Sequence, residues 1–170
     1  MNNVFVLSTG RCGSTTFTKA CSHFKGWTSG HETCVGKEFN FPDKHIESDP
    51  HLVWRLPELM EKYPDALYVH LWRNREDCIK SLAKRSSLNH YAVITEMSSV
   101  KLVDRTKVAE RFYDFVEMVI TKTFDGIPNT IHIECIPLRI EWVTFYEMIG
   151  KPEGFDESIA EWKIKYNRSK

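Results

Sequence analysis

The chain has little of what marks the specialised protein classes. No stretch approaches the roughly 20 consecutive apolar residues that span a bilayer, and Met1-Asn2-Asn3 places no basic cluster before the short apolar run that follows. A membrane span is therefore not expected, and a cytoplasmic location is. Net charge is also absent, since 23 basic and 23 acidic residues sum to zero. Without a global positive field, nucleic acid is not an expected partner, and any bound anion must be held locally. Five cysteines (Cys12, Cys21, Cys34, Cys78, Cys135) form no C-x-x-C pair and are odd in number. That pattern argues against a disulfide framework and a structural zinc site, and for reduced thiols. Internal repeats and low-complexity tracts are missing too. What remains is 170 residues, 42% hydrophobic and 27% charged, the composition of one ordinary globular domain covering residues 1–170.

Strands and helices alternate along this chain. Val4-Phe5-Val6-Leu7 is a short β-favouring run, stopped by Ser8-Thr9-Gly10-Arg11-Cys12-Gly13 and followed by a helical stretch to about Phe24. Residues 66–72 read as a second buried strand, mostly apolar without clean alternation. The helix after it has Asn74 as N-cap, an inward stripe of Cys78, Ile79 and Leu82, and Lys80, Lys84 and Arg85 in water. Val108, Phe112, Phe115 and Val119 mark the longest helix and its predicted core face. A turn at Gly126-Ile127-Pro128-Asn129 leads into a third strand at 130–133. Leu138, Trp142, Phe145 and Ile149 then mark a helix ending at Gly150. Residues 28–50 lack periodicity and read as a long loop, and the basic tail (Lys163, Lys165, Arg168, Lys170) as a solvated end. Such alternation predicts an α/β protein with a mostly parallel sheet and helices on both faces, binding ligands beyond the strand ends at Leu7 and Trp72.

Two segments at those strand ends carry chemistry. In Ser8-Thr9-Gly10-Arg11-Cys12-Gly13-Ser14-Thr15-Thr16 the glycines let the backbone curl. Successive N–H groups and the helix N-terminus then suit a phosphate, with three hydroxyls extending the cradle. A nucleoside triphosphatase loop needs Lys after its last Gly, and Ser14 stands there, so a small kinase using ATP and Mg²⁺ is disfavoured. In the second segment, residues 73–85 hold five basic residues (Arg73, Arg75, Lys80, Lys84, Arg85) against two acidic ones (Glu76, Asp77), a local excess of three. Taken alone, each segment also fits a plain capped turn or a solvated helix start.

The pair together resembles the PAPS-dependent sulfotransferase family, in a compact form of bacterial or phage type. That family's first strand-loop-helix, written P-[KR]-S-G-T-T, holds the 5′-phosphosulfate of 3′-phosphoadenosine 5′-phosphosulfate (PAPS); here it reads Gly10-Arg11-Cys12-Gly13-Ser14-Thr15. The second signature, R-N-x-x-D-x-x-x-S, binds the 3′-phosphate and is matched by Arg73, Asn74, Asp77 and Ser81. Residues 131–134 and the helix through Ile149-Gly150 resemble the family's final strand and helix. The resemblance implies a three-layer α/β/α, P-loop NTPase-like fold. It implies sulfuryl transfer to a hydroxyl or amine acceptor, with PAPS as cofactor, the bisphosphate PAP as product and no metal. Arg11 would meet the leaving oxygen, Cys12, Gly13, Ser14, Thr15 and Thr16 would cradle the 5′-phosphate, and Arg73 and Ser81 would hold the 3′-phosphate.

An acceptor hydroxyl needs a base. In the family an acidic position after the first helix often supplies it. Gly30-His31-Glu32-Thr33 occupies that place, which favours Glu32 over His31, with His45, Glu47 and His51 competing. His23, His70, His90 and His132 read as structural. The chain departs from the family in three ways. Cys12 replaces a common Ser, only Trp162-Lys163 and the basic tail stand where a C-terminal loop closes over the 3′-phosphate, and the chain is short. The acceptor then falls to residues 28–50 and 86–103, to an open cleft, or to a second copy in a homo-oligomer. A non-catalytic PAP-binding or interaction module of the same fold is the alternative.

Overall fold

A computed structural model describes residues 2–86, 88, 104–135, 139–164 and 166. In chain order the elements are β1 (Asn3–Leu7), α1 (Ser14–Cys21), β2 (Thr28–His31), β3 (His45–Ser48), a 3₁₀ turn (Pro50–Arg55) and α2 (Leu56–Lys62). They continue with β4 (Leu67–Trp72), α3 (Arg75–Leu82), α4 (Arg105–Phe124), β5 (Thr130–Glu134), α5 (Arg139–Met148) and α6 (Phe155–Glu161). The strands form one sheet in the order β2-β3-β1-β4-β5, and each pairing is parallel. The chain leaves β1 toward one edge and later crosses to the other. Right-handed connections run in opposite directions put helices on opposite faces, and α1 packs with α6 while α3 packs with α4. This is the α/β fold expected.

Because the sheet is covered on both sides, its strands β1 and β4 read as mostly apolar runs. Val4, Phe5, Val6 and Leu7 of β1 are fully buried, as are Leu67, Val69 and Leu71 of β4. The sheet reverses direction of connection beside β1, so the turns after β1 and β4 open side by side at the carboxyl edge, where such sheets bind ligands.

Four sequence expectations need correction or limits. Residues 28–50 are not a loop throughout, because β2 and β3 lie within them. Their sequences, TSGH and HIES, carry a single strongly apolar residue, Ile46, so no hydrophobic pattern announced them. In α4 the core face is Val108, Ala109, Phe112, Tyr113, Val116, Ile120 and Phe124. Phe115 is 39% exposed and stacks on Trp54, 6.0 Å between ring centres. Two overlapping apolar stripes run along this helix, and contact with α3 and the 3₁₀ turn selects one. Trp162 does not extend over a ligand; it packs edge-on against Phe17 and Trp142 within the aromatic core. Leu138, residues 89–103, and Lys165, Arg168 and Lys170 of the tail lie outside the described residues.

Candidate functional site

The turn after β1 is shaped by backbone conformation. Gly10, Arg11 and Gly13 all adopt left-handed φ, at 78°, 62° and 82°. For Arg11, a non-glycine residue, this costs about 1 kcal/mol. Gly13 has a second constraint, since a Cβ there would stand 2.6 Å from the Cys135 sulfur. Ser8 and Thr9 are buried beneath the turn, where the Gly10 N–H donates to Ser8 Oγ at 3.2 Å and Thr9 Oγ1 lies 3.1 Å from Cys12 Sγ. Helix α1 starts at Ser14 with no side-chain cap and no acidic residue in its first turn. Its leading N–H groups thus keep their partial positive charge for another acceptor.

The turn after β4 behaves as its sequence predicts. Asn74 Oδ1 accepts from Asp77 N–H at 3.2 Å, and Cys78, Ile79 and Leu82 are buried. Much of the local basic excess is paired: Arg75 binds Asp114 through two 2.8 Å hydrogen bonds and Lys80 lies 3.7 Å from Glu76. The Arg73 guanidinium is 39% exposed and meets Asp77 at 3.2 Å. Its charge also lowers the pKa of Cys135, which burial otherwise raises. Arg73 is thus within electrostatic reach of Cys135, whose sulfur abuts Gly13, and part of its side chain is in water.

The turn after β1 meets α3 directly. Arg11 Nε donates to Ser81 Oγ at 2.9 Å, across 70 positions of sequence, and Cys12 Sγ lies 3.4 Å from Cys78 Sγ. Beside this junction is a cavity of about 190 Å³. The first turn lines it with Gly10, Arg11, Ser14 and Thr15, and α3 adds Leu82 and Arg85. The facing wall comes from the ends of β2 and β3: His31, Glu32, Pro50 and His51. Of the residues expected at the site, Arg11, Ser14, Thr15, His31 and Glu32 line the cavity. Cys12 is buried under the turn, Gly13 is the N-cap of α1, Thr16 is partly buried in its first turn, Ser81 reaches the site through Arg11, and Arg73, paired with Asp77, is not among the described lining residues.

The facing wall rests on a buried polar network. Glu47, fully buried in β3, accepts from Thr33 N–H at 2.8 Å, Thr33 Oγ1 at 2.7 Å and His45 Nε2 at 2.9 Å. His45 stacks on Phe41, 4.9 Å between ring centres. Both residues are thus committed to structure, which leaves His31, Glu32 and His51 as the wall's titratable groups at the cavity. His31 Nε2 lies 2.9 Å from Ser14 Oγ and its Nδ1 4.0 Å from Glu32 Oε1. Glu32 takes a left-handed φ of 56°.

Sequence reasoning missed Asp49. It is buried, and its Oδ1 accepts from His51 N–H at 2.7 Å and from His51 Nδ1 at 2.8 Å. The carboxylate raises the His51 pKa above its usual value, against the opposing effect of burial. It also fixes the ring and leaves Nε2 as the nitrogen able to take a proton. The available signal was Asp49-Pro50, an N-cap followed by proline at the first helical position. The other described histidines are structural: His23 binds Glu161, and His70 binds His132 and Glu117. Among the described residues, no group of three or more His, Cys, Asp or Glu side chains is placed to hold a metal ion, and no helix is long and apolar enough to cross a membrane.

No family profile matches this chain, and no curated protein matches it in sequence. Similarity appears in three dimensions. The crystal structure of mouse sulfotransferase SULT7A1 complexed with PAP aligns with a TM-score of 0.60 at 11% sequence identity, over 95% of this chain and 64% of that one. The chain thus spans less than two thirds of the mouse protein's chain, and at that identity the likeness is one of fold. The architecture described above is a sulfotransferase-like α/β fold.

Proposed function

We propose that the chain is a PAPS-dependent sulfotransferase acting on a polar hydroxyl or amine acceptor. The observation that carries this reading is the Arg11–Ser81 hydrogen bond, because it joins the turn after β1 to the helix that follows β4, the two segments that the resemblance assigns to opposite ends of one bisphosphorylated nucleotide. The uncapped N-terminus of α1 and the left-handed turn before it supply backbone donors for the 5′-phosphate. Arg73 and Ser81 supply the contacts for the 3′-phosphate.

In the reaction the bond between sulfur and the bridging phosphate oxygen breaks as the acceptor oxygen or nitrogen bonds to sulfur. Negative charge grows on the bridging oxygen, and Arg11, held by Ser81, stabilises it more in the transition state than in the ground state. The acceptor proton passes to the facing wall. We assign it to His51 Nε2, since the ring is held by buried Asp49; Glu32 and His31 complete that wall. The same wall suits a polar acceptor, because among the described residues its only apolar contribution to the cavity is Pro50.

A thermal-shift comparison tests the nucleotide half of the proposal. PAP is expected to raise the melting temperature, and ATP with Mg²⁺ to leave it nearly unchanged, since a ligand stabilises the state it binds. Equal shifts with the two, or none with millimolar PAP, would contradict it. PAP binding without release of PAP from PAPS, with water or any acceptor of a broad panel, would support the non-catalytic module instead.

A further inference from the structure

Three elements bring cysteines to the same place. Cys12 lies in the turn after β1, Cys78 on α3 and Cys135 directly after β5. Cys12 and Cys78, 66 positions apart in the chain, are both fully buried with their sulfurs 3.4 Å apart. A disulfide bond is about 2.05 Å long, so joining them takes an approach of about 1.4 Å. Cys78 is the readier nucleophile. The Cys12 hydrogen bond and the Arg73 charge lower its pKa, whereas the hydrogen bond to Cys78 and burial raise that of Cys12. Cys135, partly exposed, abuts Gly13, so the solvent boundary runs close to the pair.

We propose that Cys12 and Cys78 form a reversible redox pair, oxidised by a hydroperoxide to a disulfide that ties the turn after β1 to α3 and closes the nucleotide site. The Cys78 thiolate attacks the peroxide, the O–O bond breaks, hydroxide leaves, and the sulfur becomes a sulfenic acid. Cys12 sulfur then attacks that sulfur. The S–S bond forms, the S–O bond breaks, and the departing hydroxide takes the Cys12 proton to leave as water. The two sulfurs lose two electrons and the peroxide gains them; a reducing dithiol reverses the change.

Closure follows from where Cys12 sits. It lies between Arg11 and Gly13, both in left-handed conformations that fix the course of the turn. Arg11 carbonyl oxygen is 3.9 Å from Cys78 Sγ, so the backbone on that side is already against α3. Drawing Cys12 further toward α3 shifts the Arg11 guanidinium and the leading N–H groups of α1 together. This consequence rests on the nucleotide reading proposed above, whereas the cross-link itself does not.

The full chain, treated with hydrogen peroxide or kept in dithiothreitol, is digested without reduction, mapped by mass spectrometry and titrated with PAP. The expected map contains a Cys12–Cys78 linked peptide, two hydrogens lighter than its parts and lost on reduction. PAP affinity of the oxidised protein falls roughly tenfold or more, as a displacement of about 1 Å at a binding turn allows. In Cys78→Ser, or in Cys78→Ala if the serine variant does not fold, peroxide leaves PAP affinity unchanged. Absence of that peptide, a link from Cys78 to Cys135 in its place, or an oxidised protein binding PAP as tightly as the reduced one would overturn the proposal. A reduced protein that does not bind PAP removes the nucleotide reading and leaves the peptide map to decide whether the pair exists.

Discussion

The two walls of the cavity hold their polar groups in place by different physical means. The wall made by the turn after β1 and by α3 relies on backbone geometry: left-handed residues, glycine at a position where a Cβ meets Cys135, and an Asn cap that starts α3. The opposite wall, from the ends of β2 and β3, relies on two buried carboxylates that hold neighbouring donors in place. Glu47 ties down Thr33 and His45, and Asp49 ties down His51. A backbone-shaped wall leaves a short local signature in sequence. A wall built on buried polar pairs leaves almost none, because each partner is an ordinary polar residue whose role depends on what the fold brings beside it.

The largest effect should come from breaking the side-chain wall. Glu47→Ala removes the buried acceptor shared by three donors and leaves the buried His45 ring unpaired, and is expected to cost about 3 kcal/mol of stability in urea unfolding. A loss under about 1 kcal/mol would mean that this network does not hold the wall.

His51→Ala probes the same wall's chemistry. It is expected to slow release of PAP from PAPS about 100-fold, close to 2.7 kcal/mol in the barrier, with PAP affinity retained. Glu32→Gln should cost much less, and the reverse ranking would move the base to Glu32. The base must be unprotonated to work, and Asp49 raises the His51 pKa above 6.5. The wild-type rate is therefore expected to climb with pH through a midpoint above 6.5 and then level off. Asp49→Asn should move that midpoint down, and an unmoved profile would separate Asp49 from the titrating group.

On the backbone-shaped wall a single side chain matters less. Ser81→Ala removes one hydrogen bond to Arg11 and one contact for the 3′-phosphate, and should weaken PAP binding by about 1 kcal/mol in calorimetry. A loss of about 3 kcal/mol in PAP binding would mean that Arg11 depends on Ser81 for its position.

The same difference explains what could be read in advance. The strands β1 and β4 were legible because burial on both faces gives apolar runs, β5 because a turn signal precedes its alternating isoleucines, and the helix after β4 because its cap is local. Arg11, Ser14 and Thr15 were legible as cavity residues for the same reason. The strands β2 and β3 were not, since their stability comes from pairing in the sheet and from Glu47 rather than from apolar alternation. Asp49 looked like a helix cap, which it is, and its contact with the His51 ring appears only when the chain is folded.

The central claim is that both turns hold one nucleotide carrying phosphates at 5′ and 3′. Calorimetric titration with PAP and with adenosine 5′-phosphate, on the wild type and on Arg73→Ala, tests it most directly. The account predicts that the wild type prefers PAP by roughly 1.5–3 kcal/mol, the range of a charge-assisted hydrogen bond, and that Arg73→Ala loses this preference while binding adenosine 5′-phosphate as before. Equal wild-type affinities for the two nucleotides, or a preference that survives without Arg73, would contradict it.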